Sequence, residues 1–139
     1  MYSWKTSLHL DAPRDRVWST LVDFANMNKW NPRAGVARFE SDGPLGQGTR
    51  VRLENGGKGT LYTIEEWGPP RLLRLFISKG KTTGSARFYL TNAPQGGTQL
   101  EHHFELSPPL WLEPLMLFVG FSVRKELAAL KSWVEQKAD

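Results

Sequence analysis

Apolar and polar residues alternate from Tyr2 to Asp11, with Trp4, Thr6, Leu8 and Leu10 on one face and Ser3, Lys5, Ser7 and His9 on the other. A period of two predicts a β-strand with one wetted side. Ala12-Pro13 breaks the alternation. Pro13 suits the first helical position, where its missing N–H costs nothing, and Asp15 complements the dipole of a first turn. Val17, Leu21 and Phe24 then fall at i, i+4 and i+7, the stripe of a short helix. Asn26 to Pro32 reads as a second short helical turn, ended by the restriction Pro32 places on the residue before it.

The middle of the chain reads as strands separated by turn chemistry. Val36–Ser41 leads into a loop, Asp42-Gly43-Pro44-Leu45-Gly46-Gln47-Gly48, of residues that accept unusual backbone angles. Thr49–Glu54 alternates Arg50 and Arg52 with Val51 and Leu53, and Asn55-Gly56-Gly57 marks a tight hairpin. Lys58–Trp67, a Gly68-Pro69-Pro70 turn, Arg71–Ser78, a loop through Gly80, Ser85–Thr91, a Pro94-Gln95-Gly96-Gly97 turn and Thr98–Leu106 follow. Strands at this spacing with short turns predict an antiparallel meander. Pro108-Pro109 ends it. Leu115, Val119, Val123, Leu127, Leu130 and Val134 then recur every three or four residues, which predicts a long helix beginning near Pro114.

The expected fold class is therefore α+β. A curved antiparallel sheet of about six to seven strands wraps a long C-terminal helix, with two short helices after strand one plugging one end. An antiparallel sheet must cover its apolar face, and only the terminal helix is long enough to do so. No repeat, low-complexity tract or linker divides the chain, so residues 1–139 are expected to form one domain.

Composition sharpens this picture in three ways. Six Trp, seven Phe and three Tyr are many for this length, and aromatic side chains line apolar pockets. The absence of cysteine excludes disulfides, a thiolate nucleophile and Cys-ligated zinc. The start of the chain lacks the apolar run of a signal peptide, and Leu115–Phe121 is about a third of a membrane span, so cytoplasm is the expected compartment. A net charge of +4 mildly favours acidic partners, but no nucleic-acid partner is expected from it.

The residues also resemble a known family. Leu8-His9-Leu10-Asp11-Ala12-Pro13, Val17-Trp18, Leu21, Asp23 and Trp30-Asn31-Pro32 are similar to the opening of the START-like (SRPBCC) superfamily, which includes polyketide cyclase/dehydrase-like and birch-pollen-allergen-like proteins. Gly46-Gln47-Gly48-Thr49-Arg50 resembles the turn before its third strand. Ile64 to Leu72, with Pro69-Pro70-Arg71-Leu72, resembles its recurrent hairpin, and Gly97-Thr98-Gln99-Leu100 and Leu127-Ala128-Ala129-Leu130-Lys131 resemble its last strand and helix. The resemblance covers nearly the whole chain. It implies a helix-grip fold with a deep apolar cavity that different members use for lipids, polyketides, hormones or protein clients. It carries over no catalytic residue, because its motifs are fold signatures.

Among the candidate residues, His102 shares a strand face with Leu100, Phe104 and Leu106 and is expected to look inward, whereas His103 looks out with Gln99, Glu101 and Glu105. An inward His can act as a general acid/base or hydrogen-bond a ligand carbonyl; equally, it can be a core residue satisfied by backbone or water. Three His without i, i+4 spacing give no metal pattern, and neither a metal nor another cofactor is expected. Asn55-Gly56-Gly57-Lys58-Gly59-Thr60 lacks P-loop spacing and precedes a strand, so it is a hairpin. Arg50, Arg52, Arg74 and Arg87 are expected on an outer, salt-bridged face with Glu54, Glu65 and Glu101. The expected ligand-binding set is Tyr62, Phe76, Phe88, His102 and Phe104 from the strands, with Met116, Phe118 and Phe121 at the cavity mouth. For each of these, plain core packing is the competing reading. Trp111–Phe118 is apolar all round, which fits a lid, a membrane-touching patch or a homodimer contact.

Three functions follow. The first is a binding or carrier module for a small hydrophobic molecule, favoured because no reactive triad is present. The second is a cyclase or dehydratase using His102 with Tyr62 as hydrogen-bond donor. The third is a protein-interaction module using the outer sheet face.

Overall fold

The structure, a computed structural model, describes residues 1–31, 34–56 and 58–136, without the side chain of Lys58. The sequence readings at Pro32 and Gly57 lie outside the described residues. Seven strands form one antiparallel sheet: β1 (Tyr2–Leu10), β2 (Val36–Phe39), β3 (Arg50–Asn55), β4 (Lys58–Gly68), β5 (Leu72–Lys79), β6 (Thr82–Asn92) and β7 (Thr98–Ser107). Their spatial order is β1-β7-β6-β5-β4-β3-β2, so the meander runs from β2 to β7 and only β1 pairs out of sequence. After β1 come α1 (Arg14–Leu21) and a 3₁₀ segment (Phe24–Lys29). After β7 come a second 3₁₀ segment (Leu110–Phe118) and α2 (Val119–Gln136). This is the expected curved sheet around a terminal helix.

Alternation explains the sheet's faces. Val51 and Leu53 on β3, Leu73, Leu75 and Ile77 on β5, Ala86 and Leu90 on β6, and Leu100 on β7 are buried in one core with Val123, Leu127, Leu130 and Val134 of α2. The intervening Arg52, Arg74 and Arg87 pair with outward-facing neighbours. A register shift between Ile64 and Glu66 inserts one residue into β4, so Tyr62 and Ile64 face inward and Trp67, after the bulge, faces inward as well. Trp67 receives the edge of Trp18 from α1 with ring centroids 5.3 Å apart, which locks the short helix onto the sheet.

Polar contacts between distant segments hold α2 in place. Lys131 donates to the His9 carbonyl at 3.1 Å and also pairs with Glu135, whose carboxylate accepts the Asp11 backbone N–H at 2.8 Å. Thr98 donates to the Ala12 carbonyl at 2.8 Å within the core. The far end of the helix approaches β1 closely at Gly120. A Cβ there would lie 3.0 Å from the Trp4 ring, so the missing side chain lets α2 begin directly over β1.

Two boundaries differ most from the sequence reading. β6 begins at Thr82, not Ser85, because a tight turn at Lys79–Thr82 replaces the expected loop. The regular helix begins at Val119 rather than near Pro114. Pro114 lacks the N–H an α-helix needs, and the segment around it takes the tighter 3₁₀ winding. The apolar stripe accordingly starts at Val119, and Leu115 is exposed.

Candidate functional site

The inward face divides into two parts. Toward the C-terminal turns of α2, Leu10, Val17, Leu90, Leu100, Leu130 and Val134 are sealed from solvent beneath α1 and the helix. Toward the start of α2, the inward residues Trp4, Tyr62, Phe88 and Phe104 are only half-buried, although their cross-strand neighbours Ala86, Leu73, Ile77 and Val51 are buried. Rings that point into a concave face yet keep solvent contact mark an open part of the interior.

Pairing of β1 with β7 brings four rings into a row. Trp4 lies across from Phe104 with centroids 5.7 Å apart, Phe104 stacks on His102 at 5.8 Å, and His102 packs on Phe88 at 4.5 Å. His102 is 5% exposed, and its Nδ1 has no hydrogen-bond partner among the described residues. Burial, with a smaller contribution from the neighbouring His103, pushes its pKa down to about 4, so the imidazole is neutral at physiological pH. Burial likewise pushes the Tyr62 phenol up to about 12, the carboxylate of Glu126 on α2 adding to the rise, so Tyr62 keeps its proton. The open part therefore offers an apolar aromatic wall with neutral polar groups.

The predicted residues do not all converge. Phe88, His102 and Phe104 are in contact, and Tyr62 shares their face three strands away in the sheet order. His102 lies in register with Leu73 through Phe88, whereas Tyr62 is opposite Ile77, so the two are also four residues apart along β5. They are not a bonded pair. Met116 is buried in the second 3₁₀ segment. Phe76 does not line the interior: between inward Leu75 and Ile77 it must face outward, and it is 38% exposed. Phe118 and Phe121, 67% and 63% exposed, also turn away from the interior: Phe118 ends the 3₁₀ segment, and Phe121 lies on the face of α2 opposite the buried Val123 and Leu127. Trp4 is the residue the sequence reading left out. Its alternation put it on the inward face, but only the β1–β7 pairing sets it against Phe104.

The outer face is salt-bridged as expected, with Arg74–Glu65 among the pairs and Glu40 as a partner the sequence reading did not include. Arg52 and Arg50 share Glu40, Arg38 meets Glu54, Arg74 meets Glu65 and Glu66, and Glu101 accepts from both Lys5 and His103. Hydrogen bonds from these partners hold the carboxyls of Glu40 and Glu101 below the usual carboxylate range.

Two surface grooves lie elsewhere. One of about 580 Å³ runs between the Asp11–Asp15 and Asn92–Gly97 turns; the other, of about 200 Å³, lies between α1, the first 3₁₀ segment and Trp133. Neither touches the aromatic row. The larger mixes turn backbone with Asp11, Arg14 and Asp15, a poor lining for an apolar molecule. Among the described residues no group of His, Asp and Glu could hold a metal ion, and no helix is long and apolar enough to cross a membrane.

The family model described as "Polyketide cyclase / dehydrase and lipid transport" matches residues 1–135. No curated protein matches the chain in sequence. Among solved structures, a START superfamily protein from Mycobacterium smegmatis is 19% identical with TM-score 0.77, over 98% of this chain and 99% of that one. Ara h 8.0201 is 18% identical with TM-score 0.73, over 96% and 97%. DynU16, from the dynemicin biosynthetic locus, is 16% identical with TM-score 0.75, over 98% of this chain but 48% of that one. At these identities the structures establish the shared fold.

Proposed function

The chain belongs to the polyketide cyclase / dehydrase and lipid transport family, and on that premise we propose that it binds a small hydrophobic molecule in the open part of the space between the sheet and α2. The observation that carries this reading is the inward row Trp4–Phe104–His102–Phe88, in which the three apolar rings are incompletely covered around a buried His102. A lipid, polyketide or aromatic metabolite would bury these rings, and roughly 25 cal/mol per Å² of apolar area removed from water would drive its entry. The unpartnered His102 Nδ1 would fix the ligand's orientation by hydrogen-bonding a hydroxyl or carbonyl group on it.

The same features favour binding over turnover. A general base works best with a pKa near the operating pH, and burial has moved His102 well below it and Tyr62 well above. Their separation in the sheet also argues against the two working as one acid–base pair. Native mass spectrometry of freshly purified protein, with extraction of the organic phase, tests the proposal. The expected result is a discrete adduct that disappears on denaturation and is absent from Phe104→Ala. An adduct-free mass, with no thermal shift across a panel of fatty acids and aromatic metabolites, would refute it. If His102→Gln keeps full affinity for the extracted molecule while abolishing its conversion, the protein is an enzyme.

A further inference from the structure

The segment that leads into α2 presents its apolar side chains to water. Leu110, Trp111, Leu115, Leu117 and Phe118 are exposed, Leu117 to 86% and Trp111 to 72%, and Phe121 in the first turn of α2 extends the same surface. An exposed apolar patch this continuous marks an interaction site. Only Met116 in the segment is buried, and Tyr2 donates to Glu113 at 3.0 Å, so the segment is anchored through its other side while the apolar residues stay outside.

The charges around the patch say what covers it. The β5–β6 turn, with exposed Lys79 and Lys81, lies at the same end of the sheet, because Thr83 pairs with Ser107 just before the chain enters the apolar segment. Arg124 and Lys125 are exposed on the second turn of α2, and the Lys125 Nζ sits 5.8 Å from the centre of the Phe121 ring. The acidic residues nearby are otherwise placed: Glu113 accepts the Tyr2 hydroxyl, Glu126 is half-buried beside the interior, and Glu105 is on the outer sheet face. Asp11, Asp15, Asp23 and Asp42 all lie in loops and short helices toward the opposite end. The patch is thus an apolar tip with a cationic collar.

We propose that this end docks on an anionic membrane surface, Trp111, Leu117 and Phe118 entering the headgroup boundary and Lys79, Lys81, Arg124 and Lys125 facing lipid phosphates. A tryptophan with aliphatic neighbours suits the interfacial zone, and basic residues beside it add attraction to acidic lipids. A second copy fits less well: a two-fold contact through this end would set collar against collar, like charge on like. The docking does not depend on which molecule the interior holds.

The test is flotation of the full chain with phosphatidylcholine vesicles, alone or with about a third phosphatidylserine. The protein should float with the acidic vesicles only and release as salt rises. Leu117→Ser with Phe118→Ser should abolish flotation while leaving the melting temperature unchanged. The double variants K79Q/K81Q and R124Q/K125Q should each weaken binding roughly 25-fold, about fivefold per cation. Brominated lipid should quench wild-type fluorescence more than that of Trp111→Phe, which locates the inserted ring. The proposal is overturned by no flotation with acidic vesicles, by flotation that survives the serine substitutions, or by a solution dimer that those substitutions dissociate.

Discussion

The two parts of the space under α2 are made from the same alternating strands but end in different states. Near the C-terminal turns of the helix, the sheet contributes Leu10, Leu90 and Leu100, α1 contributes Val17 and Leu21, and α2 contributes Leu130 and Val134; these side chains are sealed. Near the start of the helix, the sheet contributes Trp4, Phe88 and Phe104, and these rings are not fully covered. The difference lies in the cover rather than in the sheet. At one end two helices close over branched aliphatic residues that pack to crystal-like density. At the other, the chain arrives through a 3₁₀ segment in which only Met116 is buried, so the aromatic rings beneath it stay partly exposed. One half holds the fold together, and the other is where we propose that the ligand binds.

Substitutions in the two halves should therefore separate stability from binding. Leu130→Ala, in the sealed half, should cost about 3–4 kcal/mol in a urea titration, through lost transfer energy and the cavity left behind. The adduct, scored per folded molecule, should persist. Next in size is a pH effect in the open half. The folded pKa of His102 lies below its ordinary value of 6.5, so its contribution is complete above pH 6.5 and is lost as pH falls toward 4. Its full extent is on the order of 3 kcal/mol, and His102→Gln should flatten the stability profile in that window. Phe104→Ala, in the open half, should cost only about 1–2 kcal/mol, because a half-buried ring loses less than a core one. It should nevertheless abolish ligand retention. Phe76→Thr, on the outer face, should change stability by no more than about 0.5 kcal/mol and leave binding intact. A large loss there would mean that the register of β5 is wrong and the division of the sheet with it.

Much of the sealed half is visible in the amino-acid order. Strict alternation in β1 and the spacing of Val123, Leu127, Leu130 and Val134 are local signals, and each element obeys its own period. The open half is less legible because it depends on relations between elements. Trp4 meets Phe104 only because the first strand pairs with the last. Trp67 turns inward only because a bulge shifts the phase of β4. Phe76 shows that a mid-strand aromatic is no guide by itself, since parity with Leu75 and Ile77 decides its side. Phe118 and Phe121 stand near the expected mouth in sequence, but Phe121 is off the Val119–Val123–Leu127 stripe of α2 and Phe118 ends the 3₁₀ winding before it. The neutral state of His102 depends on burial among Phe88 and Phe104, which no spacing announces.

The central claim is that the aromatic half of the interior is the binding site, and nuclear magnetic resonance tests it most directly. Labelled protein would be titrated with the co-purified molecule or, for a protein isolated empty, with anilinonaphthalene sulfonate. The account predicts shifts concentrated on Trp4, Phe88, His102 and Phe104, with Leu130 and Val134 unmoved. Shifts confined to the groove between Asp11–Asp15 and Asn92–Gly97, or none at saturating ligand, would contradict it.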